Sequence, residues 1–382
     1  MSFTLALPRL SLSGSDAIHD AIQMLAQQGT RSVLLLTDAI LLNLEGAALV
    51  KARLNAEGIT FGVFSAIEAN PTVATVEKAY ELFKALKPDA LIALGGGSVI
   101  DTAKAVRLLS ANPGPIQAYE GVHHELKVGT HLVAIATTSG TAAEVTSNAV
   151  ITDTERHVKM VIISHATIPD MAVNDPIALK SMPAGTTAAT GMDALTHAIE
   201  AYVSNGQHPL TNPTALEAIR TITEWLPAAY ADGANLKARE MMAHGQFLAG
   251  MAFNSAGLGA VHSLAHQPGA THNLPHGVCN AILLPVVEQF NRPVAVERFA
   301  DIARAMGVST QGMTTEEASI AAIAAIRELS ARVGIPKGLG VLGVKESDIE
   351  RWIAPALADP CTPGNPRPLD AATVRELYKQ AL

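Results

Sequence analysis

Four residues in the stretch 186–276 have the types and the spacing of a metal site. Asp193 and His197 are one helical turn apart in TAATGMDALTHAIEAY, so a helix there would project both side chains from one face. His262 follows in GLGAVHSLAH, and His276 follows a proline in NLPHG. One carboxylate and three neutral imidazoles form a donor set suited to a divalent first-row metal such as Fe²⁺ or Zn²⁺. On spacing alone, Asp193 and His197 can also be a polar pair at the margin of a core.

A glycine-rich turn follows the buried apolar run at 91–94. The sequence GGGS at 95–98 lets the backbone approach a phosphate closely, and a helix over 98–109 would offer free amides to a diphosphate. The turn has neither the GxGxxG pattern nor the GxxxxGK[ST] pattern of the common nucleotide sites. Because a lone GGGS is also an ordinary loop sequence, this motif alone leaves nucleotide binding open.

Two further positions at strand ends can contact a cofactor. Asp38 follows the strand predicted at 32–36, where a carboxylate can bind the ribose 2'-hydroxyl of NAD and repel the extra phosphate of NADP. Its alternative role is to begin a turn. The hydroxyl-rich run at 137–141 can bind phosphate, ribose or the nicotinamide amide, or can serve only as a turn.

These segments together resemble one known family. The sequences around the four candidate ligands, with GGGSVID at 95–101, are similar to the signature regions of the iron-containing (group III) alcohol dehydrogenases. The similarity in order and spacing covers nearly the whole chain. It implies that Asp193, His197, His262 and His276 hold one divalent metal, Fe²⁺ in preference to Zn²⁺, and that NAD is the cofactor.

The resemblance also implies a set of cofactor contacts. In this reading Asp38 selects NAD, and Asn70 lies near the adenosine side. The remaining contacts fall into two groups, on the diphosphate and around the ribose and nicotinamide. They are Gly96, Gly97 and Ser98 for the first group, and Thr137, Thr138, Asn148, Val150 and Lys159 for the second.

His266 lies one helical turn after His262 and therefore on the same face. Its position allows a fifth ligand, a proton relay or a packed histidine. The resemblance implies a place near substrate and nicotinamide, so we expect a catalytic role outside the ligand set. Glu200 lies two turns after Asp193 and is expected to be structural.

The function implied by the resemblance is NAD-dependent oxidation of a small primary alcohol or diol, reversible with the aldehyde. The metal would polarise the hydroxyl group, and the carbinol hydride would pass to the nicotinamide. Alternatives are a lyase like dehydroquinate synthase, a polyol oxidoreductase like glycerol dehydrogenase, and a non-catalytic assembly module. The lyase needs a cationic pocket, whereas TGMDALTHAIEAY and AGLGAVHSLAHQPGATHNLPHG contain no Lys or Arg.

Composition narrows the possible partners and the compartment. A net charge of −8 makes nucleic acid and anionic membranes unexpected partners, and we expect a homodimer or a higher homo-oligomer. We see no signal peptide and no apolar run of membrane-spanning length. Only two cysteines occur, Cys279 and Cys361, which fits a reducing cytoplasm.

The first half of the chain alternates predicted strands and helices, which is typical of right-handed βαβ units and a Rossmann-like parallel sheet. A strand or hairpin is predicted over 3–12, and Ser15 is predicted to cap the first helix. Asn70 and Pro71 are predicted to open a helix over 72–86. Further strands are predicted at 32–36, 60–64, 91–94, 131–136, 150–151 and 160–163.

Prolines between 175 and 183 indicate a domain boundary, after which the pattern becomes helical. We therefore predict an α/β NAD-binding domain at 1–182 and an all-α metal-binding domain at 183–382, with the metal in the cleft between them. This is the two-domain architecture of dehydroquinate synthase. Helices are predicted at 186–204, 212–225, 236–254, 259–267, 276–290, 294–306, 315–333, 346–358 and 371–380.

Overall fold

The computed structural model describes residues 3–156 and 158–382. The chain forms two compact units, which divide between Met182 and Pro183. The first unit is Ala6–Met182, and the second is Pro183–Leu382 with residues 3–5. Within the described ranges, every helix is too short or too polar to cross a lipid bilayer.

The unit Ala6–Met182 is built on parallel strands. The strands are β1 (Leu10–Ser13), β2 (Ser32–Leu36), β3 (Thr60–Phe64), β4 (Ala90–Gly95), β5 (Gly121–Val122), β6 (His131–Ala136), β7 (Asn148–Asp153), β8 (Val158–Ile163) and β9 (Met171–Asn174). The helices are α1 (Ala17–Gln27), α2 (Glu45–Ala56), α3 (Val73–Leu86), α4 (Gly97–Leu109) and α5 (Pro176–Leu179). The main sheet has the order β1-β9-β6-β4-β2-β3 with every neighbouring pair parallel, while β5, β8 and β7 form a smaller sheet.

Both faces of the main sheet are covered. Successive side chains of a strand point to opposite faces, so Val33 and Leu35 pack with α1 and α2, whereas Leu34 and Leu36 pack with α3 and α4. A strand that is buried on both faces must be apolar throughout. The strand Ala90–Gly95 has the apolar sequence ALIALG, and each of its residues is buried.

Two predictions at the amino-terminal side are wrong in detail. Regular strand covers only Leu10–Ser13, because pairing with β9 begins where the Leu10 N–H donates to the Asp170 carbonyl. Asp16, not Ser15, precedes α1, with φ 69° and no side-chain cap. In contrast, a helix does follow Pro71, and the Thr72 hydroxyl caps it by accepting from the Thr75 N–H.

The unit Pro183–Leu382 is helical. Its helices are α6 (Ala184–Val203), α7 (Asn212–Ala231), α8 (Leu236–Ala256), α9 (Ala260–His272), α10 (His276–Asn291), α11 (Val296–Ala305), α12 (Thr315–Arg332), α13 (Ile349–Ala358) and α14 (Ala371–Ala381). The helix α6 packs against α7, α8 and α10 and is buried on nearly all sides, as its Ala, Met, Leu and Ile content requires. The predicted fold class, an α/β unit followed by a helical unit, is confirmed.

Candidate active site

The first turn of α10 lies directly on α6. A Cβ at Gly277 would collide with the carbonyl oxygen of Ala189, so only glycine permits this approach. The close packing places His276 beside the middle of α6. As a result, the His276 Nε2 atom lies 3.5 Å from the Asp193 Oδ1 atom.

His262 approaches the same carboxylate from α9. Its Nε2 atom lies 3.9 Å from Asp193 Oδ1, and the three ligand atoms of Asp193, His262 and His276 are all within 4.8 Å of one another. Asp193 and His262 are buried, and His276 is half-buried. Three of the four predicted ligands therefore converge.

The protonation of His262 suits a metal ligand. Burial lowers the pKa of His262 well below its ordinary value, and the neighbouring histidines His197, His276 and His266 lower it further. The ring is therefore neutral at pH 7 and can offer a lone pair. One carboxylate and neutral imidazoles around one point fit a divalent first-row cation.

Asn280 is a site residue that sequence reasoning missed. Its Nδ2 group lies 2.6 Å from Asp193 Oδ1, 3.1 Å from His262 Nε2 and 3.0 Å from His276 Nε2. Because one amide group reaches all three atoms, these atoms face one small region. The signal was present, because Asn280 follows His276 by one turn of the same helix.

His197 lies beside this cluster but outside its three ligand atoms. Its ring stacks on Phe253 at a centroid distance of 4.2 Å and on His262 at 4.6 Å. It is buried and one helical turn from Asp193 on α6. Its role as a fourth ligand stays a prediction.

Glu200 is closer to the site than expected. It is 1% exposed, and its Oε2 atom lies 2.5 Å from His262 Nδ1. Its Oε1 atom accepts from the Val261 N–H at 2.7 Å. Burial, with the nearby Glu288, raises the pKa of Glu200 well above its ordinary value. The expectation of a purely structural residue therefore overlooked a direct contact with a candidate ligand.

His266 lies outside the ligand cluster and next to it. Its ring stacks on His276 at 5.4 Å, and its Nδ1 atom lies 2.7 Å from Asp359 Oδ2. Burial alone would raise the pKa of Asp359, but the hydrogen bond and the charge of His266 bring it below its ordinary value. The Asp359 carboxylate thus orients the imidazole.

In the α/β unit, the predicted cofactor residues gather at the carboxyl ends of β2, β4 and β6, which are neighbours in the sheet. Asp38 follows β2, Gly96 follows β4 and Thr137 follows β6. The crossovers leave β2 and β4 in opposite directions, which is where open α/β sheets bind ligands. Asp38 also begins a turn, since its Oδ1 atom accepts from the N–H groups of Ile40 and Leu41 at 2.8 Å each.

The glycine turn lies against the hydroxyl-rich run. A Cβ at Gly96 would lie 3.0 Å from the Thr138 methyl group, and a Cβ at Gly97 would lie 3.2 Å from the Thr141 methyl group. Among the described residues, no side chain caps the start of α4, so its first amides remain available to a ligand. A narrow surface of backbone amides and hydroxyls fits a diphosphate.

Three more predicted cofactor residues are in direct contact. The Lys159 ammonium donates to Asn70 Oδ1 at 2.8 Å, and the Asn70 N–H donates to the Ser98 hydroxyl at 3.3 Å. Asn70 has φ 57°, a left-handed conformation that asparagine tolerates. The structure therefore brings these residues to the start of α4.

Asn148 and Val150 are held to α4 by two charged residues that sequence reasoning missed. Lys104 is fully buried, and its ammonium donates to the carbonyls of Thr146 and Asn148 at 2.8 and 2.7 Å. Asp101 accepts from the Val150 N–H at 3.0 Å. Burial lowers the pKa of Lys104 to about 8 and raises the pKa of Asp101 to about 6.

Two family models together match nearly the whole chain, and both describe iron-containing alcohol dehydrogenases. The model described as "Iron-containing alcohol dehydrogenase" matches residues 8–176, and "Fe-containing alcohol dehydrogenase family, C-terminal" matches 187–382. The NAD-dependent methanol dehydrogenase of Bacillus methanolicus is 42% identical over 98% of this chain and 99% of its own. The 1,3-propanediol dehydrogenase of Citrobacter freundii is 42% identical over 99% and 98%.

Solved structures agree with the sequence comparison. A 1,3-propanediol oxidoreductase superposes with a TM-score of 0.98 at 40% identity, covering 100% of both chains. An alcohol dehydrogenase from Oenococcus oeni gives a TM-score of 0.98 at 36% identity with the same coverage. The chain belongs to the iron-containing alcohol dehydrogenase family.

Proposed function

We propose that this oxidoreductase is an NAD-dependent, metal-containing dehydrogenase of small primary alcohols or diols, reversible with the aldehyde. The observation that carries the proposal is the convergence of ligand atoms from Asp193, His262 and His276 within 4.8 Å. Relatives named for methanol, 1,3-propanediol and lactaldehyde support the substrate class.

The proposed metal is Fe²⁺, with Zn²⁺ as the alternative, held by Asp193, His197, His262 and His276. When bound, such a metal polarises the hydroxyl oxygen of an alcohol, and NAD accepts the hydride. The contact of the His197 ring with the His262 ring supports its inclusion as the fourth ligand.

In the α/β unit, the proposed cofactor contacts are those at the carboxyl edge of the sheet. Asp38 would bind the ribose 2'-hydroxyl through Oδ2, because its Oδ1 atom accepts the hydrogen bonds of the turn. The other proposed contacts are Asn70, Gly96, Gly97, Ser98, Thr137, Thr138, Asn148, Val150 and Lys159. Their support is the close approach of Gly96 and Gly97 to the hydroxyl-rich run and the hydrogen bonds from Lys159 to Asn70 and from Asn70 to Ser98.

His266 is the proposed proton carrier. Asp359 holds its Nδ1 side at 2.7 Å, so the ring has one fixed orientation, and its side chain is 34% exposed. A positioned and accessible imidazole can take up the hydroxyl proton of the alcohol. We also propose a homo-oligomer in the cytoplasm, where the thiols of Cys279 and Cys361 would stay reduced.

The test combines metal analysis with a substrate panel. Purified protein is assayed for bound metal, stripped with a chelator, and reloaded with Fe²⁺ without oxygen or with Zn²⁺. Rates with NAD are then measured for methanol, 1-propanol, 1,3-propanediol and glycerol. We expect activity to disappear with the metal and to return on reloading, with glycerol the poorest substrate. Full activity after complete metal removal would overturn the proposal.

A further inference from the structure

The Glu200 carboxylate links helix α6 to the start of helix α9. Glu200 is 1% exposed, and both of its oxygens are engaged by α9. Its Oε1 atom accepts from the Val261 N–H at 2.7 Å, and its Oε2 atom lies 2.5 Å from His262 Nδ1. The same histidine therefore has one ring nitrogen on Glu200 and the other, Nε2, toward Asp193.

The two nitrogens of a neutral imidazole have opposite roles, because one carries the proton and the other a lone pair. A nitrogen that binds a metal must offer its lone pair, so the proton belongs on the other nitrogen. For His262, a metal at Nε2 requires the proton at Nδ1, which faces Glu200 Oε2. We propose that Glu200 is a positioning residue that fixes this tautomer and this ring orientation. The inference rests on the metal site proposed above.

The carboxylate is itself held in place. No side chain of α9 caps its own amino terminus, so its first N–H groups need other partners. Asn365 accepts from the Ala260 N–H at 3.1 Å, and Glu200 accepts from the next one, Val261. Hydrogen bonds from backbone amides to a carboxylate are strong. Glu200 therefore cannot turn away from His262 without exposing an unpaired amide of α9.

Glutamine at this position separates the proposed role from simple space filling. If the glutamine oxygen accepts from Val261, its NH₂ group faces His262 Nδ1 and favours the tautomer with the proton on Nε2. That tautomer cannot bind a metal through Nε2. In the opposite orientation the NH₂ group faces the Val261 N–H, and two donors repel each other. Both arrangements oppose metal binding.

The experiment measures the affinity of the stripped full-length protein for Zn²⁺ by competition with a chromophoric chelator. Glu200→Gln is compared with wild type, with His262→Ala and with Glu288→Gln. Glu288 is the matched control, because it is a buried carboxylate of the same unit whose Oε2 atom accepts from Asn291 at 3.1 Å. The unfolding free energy of each stripped variant is measured in parallel.

Loss of such hydrogen-bond partners costs about 10- to 100-fold in metal affinity, and we expect this loss in Glu200→Gln but less than about threefold in Glu288→Gln. Suppose that His262→Ala loses Zn²⁺ affinity as expected. Wild-type Zn²⁺ affinity in Glu200→Gln, or equal losses of affinity in Glu200→Gln and Glu288→Gln, would then overturn the inference. If His262→Ala keeps its Zn²⁺, the proposed metal site fails and the inference with it.

A second variant covers the case in which Glu200→Gln does not fold. Glu200→Asp keeps the carboxyl group but is one methylene shorter, so it cannot reach both Val261 and His262. We expect at least about a tenfold loss of Zn²⁺ affinity in this variant. Wild-type affinity in a folded Glu200→Asp protein would count against the inference.

Discussion

At the residue scale, the chemistry of His266 depends on its two neighbours. Asp359 holds the Nδ1 side of the ring, and the ring face lies on His276. The first contact sets the tautomer, and the second keeps the ring next to the candidate metal ligands without making it one of them. These contacts support the proposal that His266 carries a proton and is not a ligand of the cation.

Replacement of His266 by alanine tests this separation. We expect His266→Ala to keep its metal and to lower turnover by about 10²- to 10⁴-fold, which is the usual contribution of a positioned acid or base. Metal content and steady-state rates measure the two effects. His124→Ala, which removes an exposed histidine of the α/β unit, serves as the control. Loss of metal in His266→Ala would show that His266 is a metal ligand. Wild-type turnover in this variant would show that His266 only packs in the structure.

Asp38 offers a second test at this scale. Its Oδ1 atom holds the turn, so Asp38→Asn keeps that oxygen and removes only the negative charge. The negative charge that repels the 2'-phosphate of NADP is then absent. Because this repulsion is only partly screened at close range, we expect its loss to raise the use of NADP relative to NAD roughly tenfold. The ratio of kcat/KM for the two cofactors measures it. An unchanged ratio in both Asp38→Asn and Asp38→Gly would leave Asp38 as a turn residue only.

Individual site residues were predictable where their neighbours are near in sequence or follow a known signature. Asp193 follows from helical spacing, and His262 and His276 follow from the family pattern. The same helical spacing puts forward His197, whose role as a ligand stays a prediction. Glu200 was not predictable in its role, because its partners Val261 and His262 are 61 and 62 residues away. Spacing along one helix places a side chain on a face but does not reveal what it touches.

At the element scale, helix α10 carries a polar stripe through an apolar core. His276, Asn280, Glu288 and Asn291 recur along it, and the last three are buried. Within the described residues, the Glu288 Oε2 atom accepts from the Asn291 side-chain amide, and no cation pairs with this carboxyl group. Burial raises the pKa of Glu288 from 4.5 to about 7.

This shift predicts how stability changes with pH. The folded protein binds the Glu288 proton more tightly than the unfolded chain, so its contribution is complete below pH 4.5 and is lost as pH rises through about 7. The loss is of order 3 kcal/mol, since each pKa unit is worth about 1.4 kcal/mol. Glu288→Gln should flatten the curve of unfolding free energy between pH 4.5 and 7, the window that this shift spans. Urea titrations at several pH values measure this, and equal slopes in both proteins would exclude it.

Elements with a strong local pattern were predictable to within a residue or two. The buried run at 91–94 and the helix at 98–109 correspond to Ala90–Gly95 and Gly97–Leu109. The first strand was not, because its length depends on pairing with β9 far along the chain. Helix α7 was predicted to end at 225 but continues past Pro227 to Ala231, where packing against α8 overrides the local preference.

At the scale of the whole molecule, the residues proposed to bind the metal and those proposed to bind NAD belong to different units. The candidate metal ligands all lie in Pro183–Leu382, and the candidate cofactor residues all lie in Ala6–Met182. A ligand that binds only the folded form stabilises the unit that holds its contacts. Each ligand should therefore protect its own unit first.

Hydrogen–deuterium exchange can resolve this division in the intact chain. We expect Zn²⁺ added to stripped protein to slow exchange in α6, α9 and α10, and NADH to slow it in α4 and in the 137–141 run. At about 100 times the dissociation constant, a ligand lowers the open population on the order of 100-fold in its own unit. His262→Ala should lose the Zn²⁺ effect and keep the NADH effect, because His262 belongs to the helical unit alone. If Zn²⁺ alone or NADH alone slows exchange in both units, the two units open together. If NADH slows exchange only in the helical unit, the cofactor contacts lie elsewhere than at Gly96 and Gly97.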